Sequence, residues 1–193
     1  MTFDEIYDNN KIEEFHLERM NRHIKGVQKY LDIFANSDLN DFDKAELKEL
    51  GRKHDRDKLE GELFEQYKYI SWLYHCKLEK ISCNIPYTPE MDRATVRHII
   101  TNPHHPEYWD LDLKPVAVTD FNNRDNTKLT SVNGERMDDI HIIEMCCDWK
   151  STSLERGNTA TSWAIRCKND ERYRFTDDQW HLIFSILKVL DEN

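Results

Sequence analysis

The stretch MNRHIKGVQKYLDIF, residues 20–34, decides the fold class of this chain. Its apolar side chains recur at intervals of three and four residues: Met20, Ile24, Val27, Leu31 and Phe34. That spacing places them along one face of an α-helix, because a helix turns once every 3.6 residues. We therefore predict a helix from Lys11 to about Ala35 that packs this face into a core.

Similar signals predict further helices along the chain. DKAE, residues 43–46, has the form of a capping box and starts a second helix that runs toward His54. Apolar and aromatic patterns predict helices over about 60–80, 91–100 and 138–155. A second capping box, TDDQ at 176–179, starts a last helix that ends near Leu190. The predicted fold class is mainly α.

Residues 111–136 form the least helical part of the sequence. Two β-branched runs, KPVAVTDF and TKLTSVNGERM, flank NNRDN and predict a small β-hairpin or an ordered flap. Residues 157–175 are predicted to be irregular or to carry a short strand pair. With no internal repeat and no clear linker, we expect one domain over residues 1–193. Its core would span about 11–156, its insertion about 111–136 and its C-terminal helix about 176–191.

Composition narrows the class of protein. The net charge of −10 argues against a large nucleic-acid surface, which needs clustered Lys and Arg. No apolar run approaches the roughly 18 residues that a membrane span requires. The N-terminus MTFDEIYDNNKIEEF lacks the basic and apolar regions of a signal peptide. Five cysteines without a CxxC pair are typical of reduced thiols. These features predict a cytoplasmic protein.

Histidines and aspartates are placed on the predicted helices or at their ends. Along the chain they are His23, the pair His54-Asp55, then His98, His104 and His105, and finally Asp148. Imidazole and carboxylate ligands suit Mn, Fe, Co, Ni or Zn, and a carboxylate can bridge two ions. We interpret the set as a site for one or two divalent ions, with Mg²⁺ as an alternative.

Each member of this set also has a simpler interpretation. One salt bridge would satisfy a buried Asp148. The pair His104-His105 could cap a helix end or bind a protein partner. Which of His98, His104 and His105 contacts a metal stays open at this stage.

Several neighbours could contribute to chemistry at such a site. Lys58 follows His54 by four residues and could bind a substrate phosphate or hold a carboxylate in place. Glu144 precedes Asp148 by one helical turn and could orient a ligand histidine. Arg97, Tyr108 and Trp109 are candidates for contacting phosphate or stacking on a base, with packing as the alternative role.

The order H…HD…D on helices, together with the word HDxxK, resembles the HD-domain superfamily of metal-dependent phosphohydrolases. Four longer words occur along the chain: HIKGV, HDRDK, RHIITNPHHPEYW and IIEMCCDW. They resemble more closely a family of uncharacterised small HD-like proteins from bacteria and phages. The resemblance covers about residues 20–155 and implies an HD-like helical bundle. The sequence departs from the pattern in two respects: the family often has a serine where Asp57 stands, and the spacing from His98 to His104 is shorter than in many two-metal members.

The resemblance assigns roles by position in these words. His23, His54, Asp55 and Asp148 match the ligands of a first metal, and Asp55 would bridge to a second. His98 and one or both of His104 and His105 match the extra histidines of two-metal members. Lys58 matches the lysine of the HDxxK word.

The implied function is hydrolysis of a nucleotide or another small phosphate ester by metal-activated water. Asp55, Lys58 and Glu144 would be catalytic, and the setting would be the cytosol of a bacterium or of a phage-infected cell. One alternative is an HD-type di-iron oxygenase. Another is a non-catalytic phage module that binds a nucleotide or a protein. The aromatic third helix could support a homodimer, although a core role would also explain it.

Overall fold

The computed structural model describes residues 9–83, 85–112, 126–128 and 131–193 and is mainly helical. The helices in this part of the chain are α1 (Asn9–Ala35), α2 (Lys44–Lys53), α3 (Phe64–Glu79), α4 (Pro89–Thr101), α5 (Pro106–Trp109), α6 (Asp139–Arg156), α7 (Ala160–Asn169) and α8 (Asp177–Asp191). A 3₁₀ turn, Arg56–Lys58, follows α2, and two short strands are β1 (Val132–Asn133) and β2 (Tyr173–Arg174). The prediction of a mainly α fold is confirmed. Within the described ranges, no helix has both the length and the apolarity needed to cross a bilayer.

Helix α1 is the central element of the fold. The five apolar side chains of its predicted stripe are all buried, from Met20 to Phe34. They pack α1 against α6, α2, α3 and α8. Each large apolar side chain buried in this way contributes about 1.5–3 kcal/mol. A smaller core between α3 and α4 includes Tyr67, Ile70 and Met91.

The two predicted capping sequences start helices where expected. Thr176 Oγ1 accepts a hydrogen bond from Gln179 N at 3.2 Å, and Gln179 Oε1 accepts one from Thr176 N at 2.9 Å. This reciprocal pair is a complete capping box. At α2, Asp43 accepts from Ala45 N at 2.8 Å. The caps satisfy amide groups that a helix leaves unpaired at its amino end.

Residues 157–175 differ from the prediction of an irregular segment, since most of them form α7. The buried face of this helix consists of small side chains, Ala160, Ala164 and Cys167. They recur at helical spacing but lack the large apolar groups on which the sequence interpretation relied. Thr159 caps the helix by accepting from Ser162 N at 3.0 Å.

The predicted hairpin or flap falls mainly on residues 113–125 and 129–130, which lie outside the described residues. The described end of that segment, β1, pairs in parallel with β2, and Val132 is aligned with Tyr173. Val132 N donates to Arg172 O, and Gly134 N donates to Arg174 O, both at 2.9 Å. A Cβ on Gly134 would lie 2.3 Å from the Phe175 ring, so only glycine permits this approach.

Candidate metal centre

The centre is built around the turn that follows α2. His54 N donates to Leu50 O at 2.9 Å and closes the helix. Asp55 then adopts the left-handed conformation, with φ of 55°. Asp tolerates this conformation better than most residues. His16 supports the turn from α1, because its Nε2 donates to Lys58 O at 2.8 Å. The side chains of His54 and Asp55 are thereby buried side by side.

A first set of ligand atoms comes from His23, His54, Asp55 and Asp148. His23 Nε2 lies 3.3 Å from Asp55 Oδ2 and 3.2 Å from Asp148 Oδ1. His54 Nε2 lies 3.4 Å from His23 Nε2 and 3.9 Å from Asp148 Oδ1. Ligand atoms around one transition-metal ion are separated by about 3–3.5 Å, given metal–ligand distances near 2.1 Å. The first set therefore has the dimensions of a site for one ion.

A second set lies on the other side of Asp55 and contains three histidines. His98 Nε2 lies 3.2 Å from Asp55 Oδ1, and His104 Nε2 lies 3.6 Å from the same oxygen. His105 Nε2 lies 3.0 Å from His98 Nε2. One ring nitrogen from each histidine lies within 4.8 Å of the others. His98 and His105 are seven residues apart in the chain. The helix ends between them at Asn102, and the turn there brings all three histidine rings together.

Two buried atoms in the second set have no hydrogen-bond partner, namely Asp55 Oδ1 and His104 Nε2. An unsatisfied buried polar atom costs about 1–3 kcal/mol. A cation between these atoms would remove that cost, because both can donate a lone pair. The residues therefore fit a divalent ion. The whole donor set, five imidazoles and two carboxylates, suits a transition metal.

Carboxylates behind the histidines fix the orientation of two rings. Glu144 Oε1 accepts from His54 Nδ1 at 2.9 Å. Asp57 Oδ2 accepts from His98 Nδ1 at 2.8 Å and from Asn102 Nδ2 at 2.8 Å. In each ring the Nδ1 proton is held by a carboxylate, which leaves Nε2 for a metal. The sequence interpretation anticipated such a contact for Glu144 but not for Asp57.

We expect Asp57→Asn to weaken metal binding at the second set by about 10–100-fold, the usual effect of losing such a partner. A neutral amide oxygen accepts from His98 Nδ1 more weakly than the carboxylate does. Titration with Mn²⁺ against a metal-sensitive dye would measure the change, and an exposed-site variant, Asp38→Asn, is the control. Equal affinities for Asp57→Asn and the parent protein would contradict this role.

The ring of His23 is also held by a hydrogen bond, and this bond requires a close approach of α1 and α6. Ser151 Oγ accepts from His23 Nδ1 at 3.2 Å and donates to His23 O at 3.0 Å. A Cβ on Gly26 would lie 2.4 Å from Ser151 Oγ. The glycine of the HIKGV word therefore permits the helix contact that positions this ligand.

Electrostatic interactions keep the two aspartates of the centre ionised. Burial alone would raise the pKa of Asp55, but the neighbouring Lys58 and His54 hold it well below its usual range. Lys58 Nζ donates to Asp55 Oδ2 at 2.8 Å. A hydrogen bond from His23 likewise holds the pKa of Asp148 below normal, against the effect of burial. Both carboxylates are thus in the form that binds a cation.

Among the ligand histidines, the pKa is shifted downward for His104 and His105 and upward for His23. Burial and neighbouring imidazoles lower the pKa of His104 and His105 well below the usual value. These rings are neutral and can donate a lone pair. Burial also opposes the charge on His23, but hydrogen bonds to Asp148 and Asp55 outweigh it and raise its pKa to about 9. An ion bound between those carboxylates would replace that proton.

A cavity of about 210 Å³ opens beside the centre. It reaches the ligand sets at His98, His105 and Asp148. The remainder of its wall mixes aromatic, aliphatic, polar and charged side chains: Tyr67, Thr95, Ile99, Pro106, Glu107, Trp149, Thr152, Ser153, Arg156, Asn158, Trp163, Arg172 and Tyr173. Arg156, Trp163 and Arg172 were not identified from the sequence, where nothing links them to the histidine-containing words.

The three predicted substrate-contacting residues are placed differently. Arg97 is exposed and pairs with Glu62. Trp109 Nε1 donates to Pro103 O at 2.8 Å, and its ring packs against the main core. Tyr108 is 41% exposed. None of the three is among the described residues that line the cavity. For Trp109, these contacts support packing rather than substrate binding.

Among known proteins, no curated protein and no solved structure matches this chain. A family model does match, over residues 12–189. That range contains both ligand sets, the carboxylates behind them and the described lining of the cavity. The chain belongs to a family of unknown function, DUF5662.

Proposed function

We propose that this protein is a metal-dependent phosphohydrolase of HD type that acts on a nucleotide or another small phosphate ester. The observation that carries the proposal is the position of Asp55. Its Oδ2 lies with His23, and its Oδ1 lies with His98 and His104. One carboxylate placed between two ligand sets supports a pair of ions that share it.

Two divalent ions a few Å apart supply an activated water at neutral pH and a clamp for phosphoryl oxygens. The protein side chains would prepare the site for this. Lys58 holds Asp55 ionised, and Glu144 keeps the Nε2 lone pair of His54 directed at the first set. Thr152 Oγ1 donates to Asp148 Oδ1 at 3.2 Å and so restrains a third ligand.

The substrate class follows from the cavity and the charge. A cavity of about 210 Å³ suits a small-molecule substrate rather than a long polynucleotide. Arg172 supplies positive charge in the same cavity as the metal ligands, and Trp149 and Trp163 supply flat apolar surface for a base. All five cysteines are free thiols, which supports a cytoplasmic setting.

The test is a screen of nucleoside mono-, di- and triphosphates with Mn²⁺, Co²⁺, Fe²⁺ and Mg²⁺, with phosphate and pyrophosphate release as readouts. We expect turnover of at least one nucleotide to exceed that of Asp148→Asn by about 100-fold or more, since each tenfold corresponds to about 1.4 kcal/mol of transition-state stabilisation. Absence of release from every nucleotide by protein with measured metal would reject the proposal.

A second candidate, an HD-type di-iron oxygenase, is favoured by the same nitrogen-rich donor set, because iron binds imidazole and carboxylate well. Bound iron with visible absorption and oxygen uptake, without phosphate release, would support it. Nucleotide binding without any turnover would instead indicate a non-catalytic module.

A further inference from the structure

A second cavity, of about 230 Å³, continues the one beside the metal centre. Three residues line both cavities: Arg156, Asn158 and Trp163. The second cavity adds Arg19, Lys77 and Arg166, together with Tyr74, Leu78 and Glu155. The two cavities therefore adjoin at these residues, and we call their combined lining the path.

This path is positively charged in a protein of net charge −10. Apart from the metal ligands, its described lining holds five cations and two carboxylates: Arg19, Lys77, Arg156, Arg166 and Arg172, against Glu107 and Glu155. Glu155 pairs with Arg19 at 2.8 Å, and Glu107 lies 3.6 Å from Arg172. A concave surface of one charge sign attracts ligands of the other sign.

One of these cations, Arg156, is carried by a helix position beyond the metal ligand Asp148. Asp148, Thr152 and Arg156 are spaced by four residues on α6 and share one face. With a rise of 1.5 Å per residue, the backbone of Arg156 lies about 12 Å along the helix from that of Asp148. The side chain of Arg156 thus starts about two helical turns beyond Asp148, on the side of the second cavity.

An aromatic side chain stands at the junction of the two cavities. Trp163 lines both, and the guanidinium of Arg166 lies 5.1 Å from its ring centre. Nucleobases stack on aromatic rings of this kind. A base at Trp163 would lie between the metal ligands and the cations beyond them.

We propose that the site takes a nucleotide with two separated phosphates, one at the metal centre and a second bound by Arg156 and Arg166. The base or sugar between them lies against Trp163. This inference rests on the proposed phosphohydrolase function for the identity of the first phosphate. It adds a recognition site for a second anionic group, which a nucleoside 5′-monophosphate cannot fill.

The test compares two nucleotides that differ by one phosphate, adenosine 3′,5′-bisphosphate and adenosine 5′-monophosphate. Binding to the purified protein is measured by isothermal titration calorimetry, and KM values replace dissociation constants if either nucleotide is hydrolysed. We expect the bisphosphate to bind at least about 10-fold more tightly, as one charge-assisted contact of about 1.4 kcal/mol would give.

Arg156→Gln should reduce this preference to less than about threefold, because the glutamine keeps a polar group but removes the charge. Arg156 is exposed, so the variant should fold, and an unchanged melting temperature would verify this. Arg93→Gln removes an exposed arginine that pairs with Glu90 outside the path and should leave the preference intact.

Equal binding of the two nucleotides, or a preference unchanged in Arg156→Gln, would overturn the inference. Failure of the proposed function looks different. Preferential binding of the bisphosphate without turnover of any phosphate ester would support the second site and reject the hydrolase. Turnover of phosphate esters without such a preference would support the hydrolase and reject the second site.

Discussion

Asp55→Asn is expected to remove most of the bound transition metal and to lower phosphate-ester turnover by at least about 1,000-fold, equivalent to about 4 kcal/mol. Asp55 presents one carboxylate oxygen to a ligand nitrogen of each set, Oδ2 to His23 Nε2 and Oδ1 to His98 Nε2. An amide carries no charge and places an N–H₂ group toward one of the sets. Metal content is measured by mass spectrometry after growth with added Mn or Fe, and turnover by phosphate release.

Asparagine is the right replacement because it keeps the shape of the side chain and tolerates the left-handed conformation found at Asp55. The variant should therefore keep its helical circular dichroism spectrum. The matched control is Asp38→Asn, which changes an exposed aspartate outside the centre. If Asp55→Asn retained the parent's metal content, the prediction that metal binding requires the Asp55 carboxylate would be wrong.

Removal of the metal is expected to lower the melting temperature by about 5–10 °C. Ions that bind only the folded state stabilise it by about 2.7 kcal/mol when present at 100 times the dissociation constant. For a chain of this size, each kcal/mol corresponds to about 2–4 °C. Without ions, Asp55 Oδ1 and His104 Nε2 also remain buried without partners. Melting curves before and after dialysis against EDTA, and after Mn²⁺ is added back, measure the change.

The control for this experiment is the Asp55→Asn variant, whose melting temperature should respond little to EDTA or to Mn²⁺. An unchanged melting temperature in parent protein that had demonstrably lost its metal would place the ion elsewhere. Loss of stability in both proteins would point to an effect of the chelator that is independent of this centre.

Much of the candidate site could be predicted from the sequence as a set of residues. The structure brings together all seven side chains that the sequence analysis proposed as metal ligands, and it places Glu144 against His54. The open question about His98, His104 and His105 depended on the turn at Asn102, which spacing alone does not specify. Asp57 looked like a departure from the family pattern, yet it contacts His98.

The lining of the cavity could not be predicted in the same way. The substrate contacts predicted from the sequence, Arg97, Tyr108 and Trp109, lie next to the histidines in the chain. The lining of the cavity instead includes Arg156 and Arg172, which lie much later in the chain than the histidines. Residues of this kind carry no local signal, because an arginine at a helix end looks the same whether it lines a cavity or faces solvent.

The sequence by itself determined helices with a large apolar stripe, such as α1, or with a side-chain cap, such as α8. These features act over one or two turns, so nearby residues are enough to specify them. It did not reveal α7, whose buried face is made of small residues. Only the tertiary structure decided the pairing of β1 with β2, the two faces of Asp55 and the path beyond the metal centre. Each of these joins residues that are distant in sequence, and such contacts arise only when the helices pack around a common core.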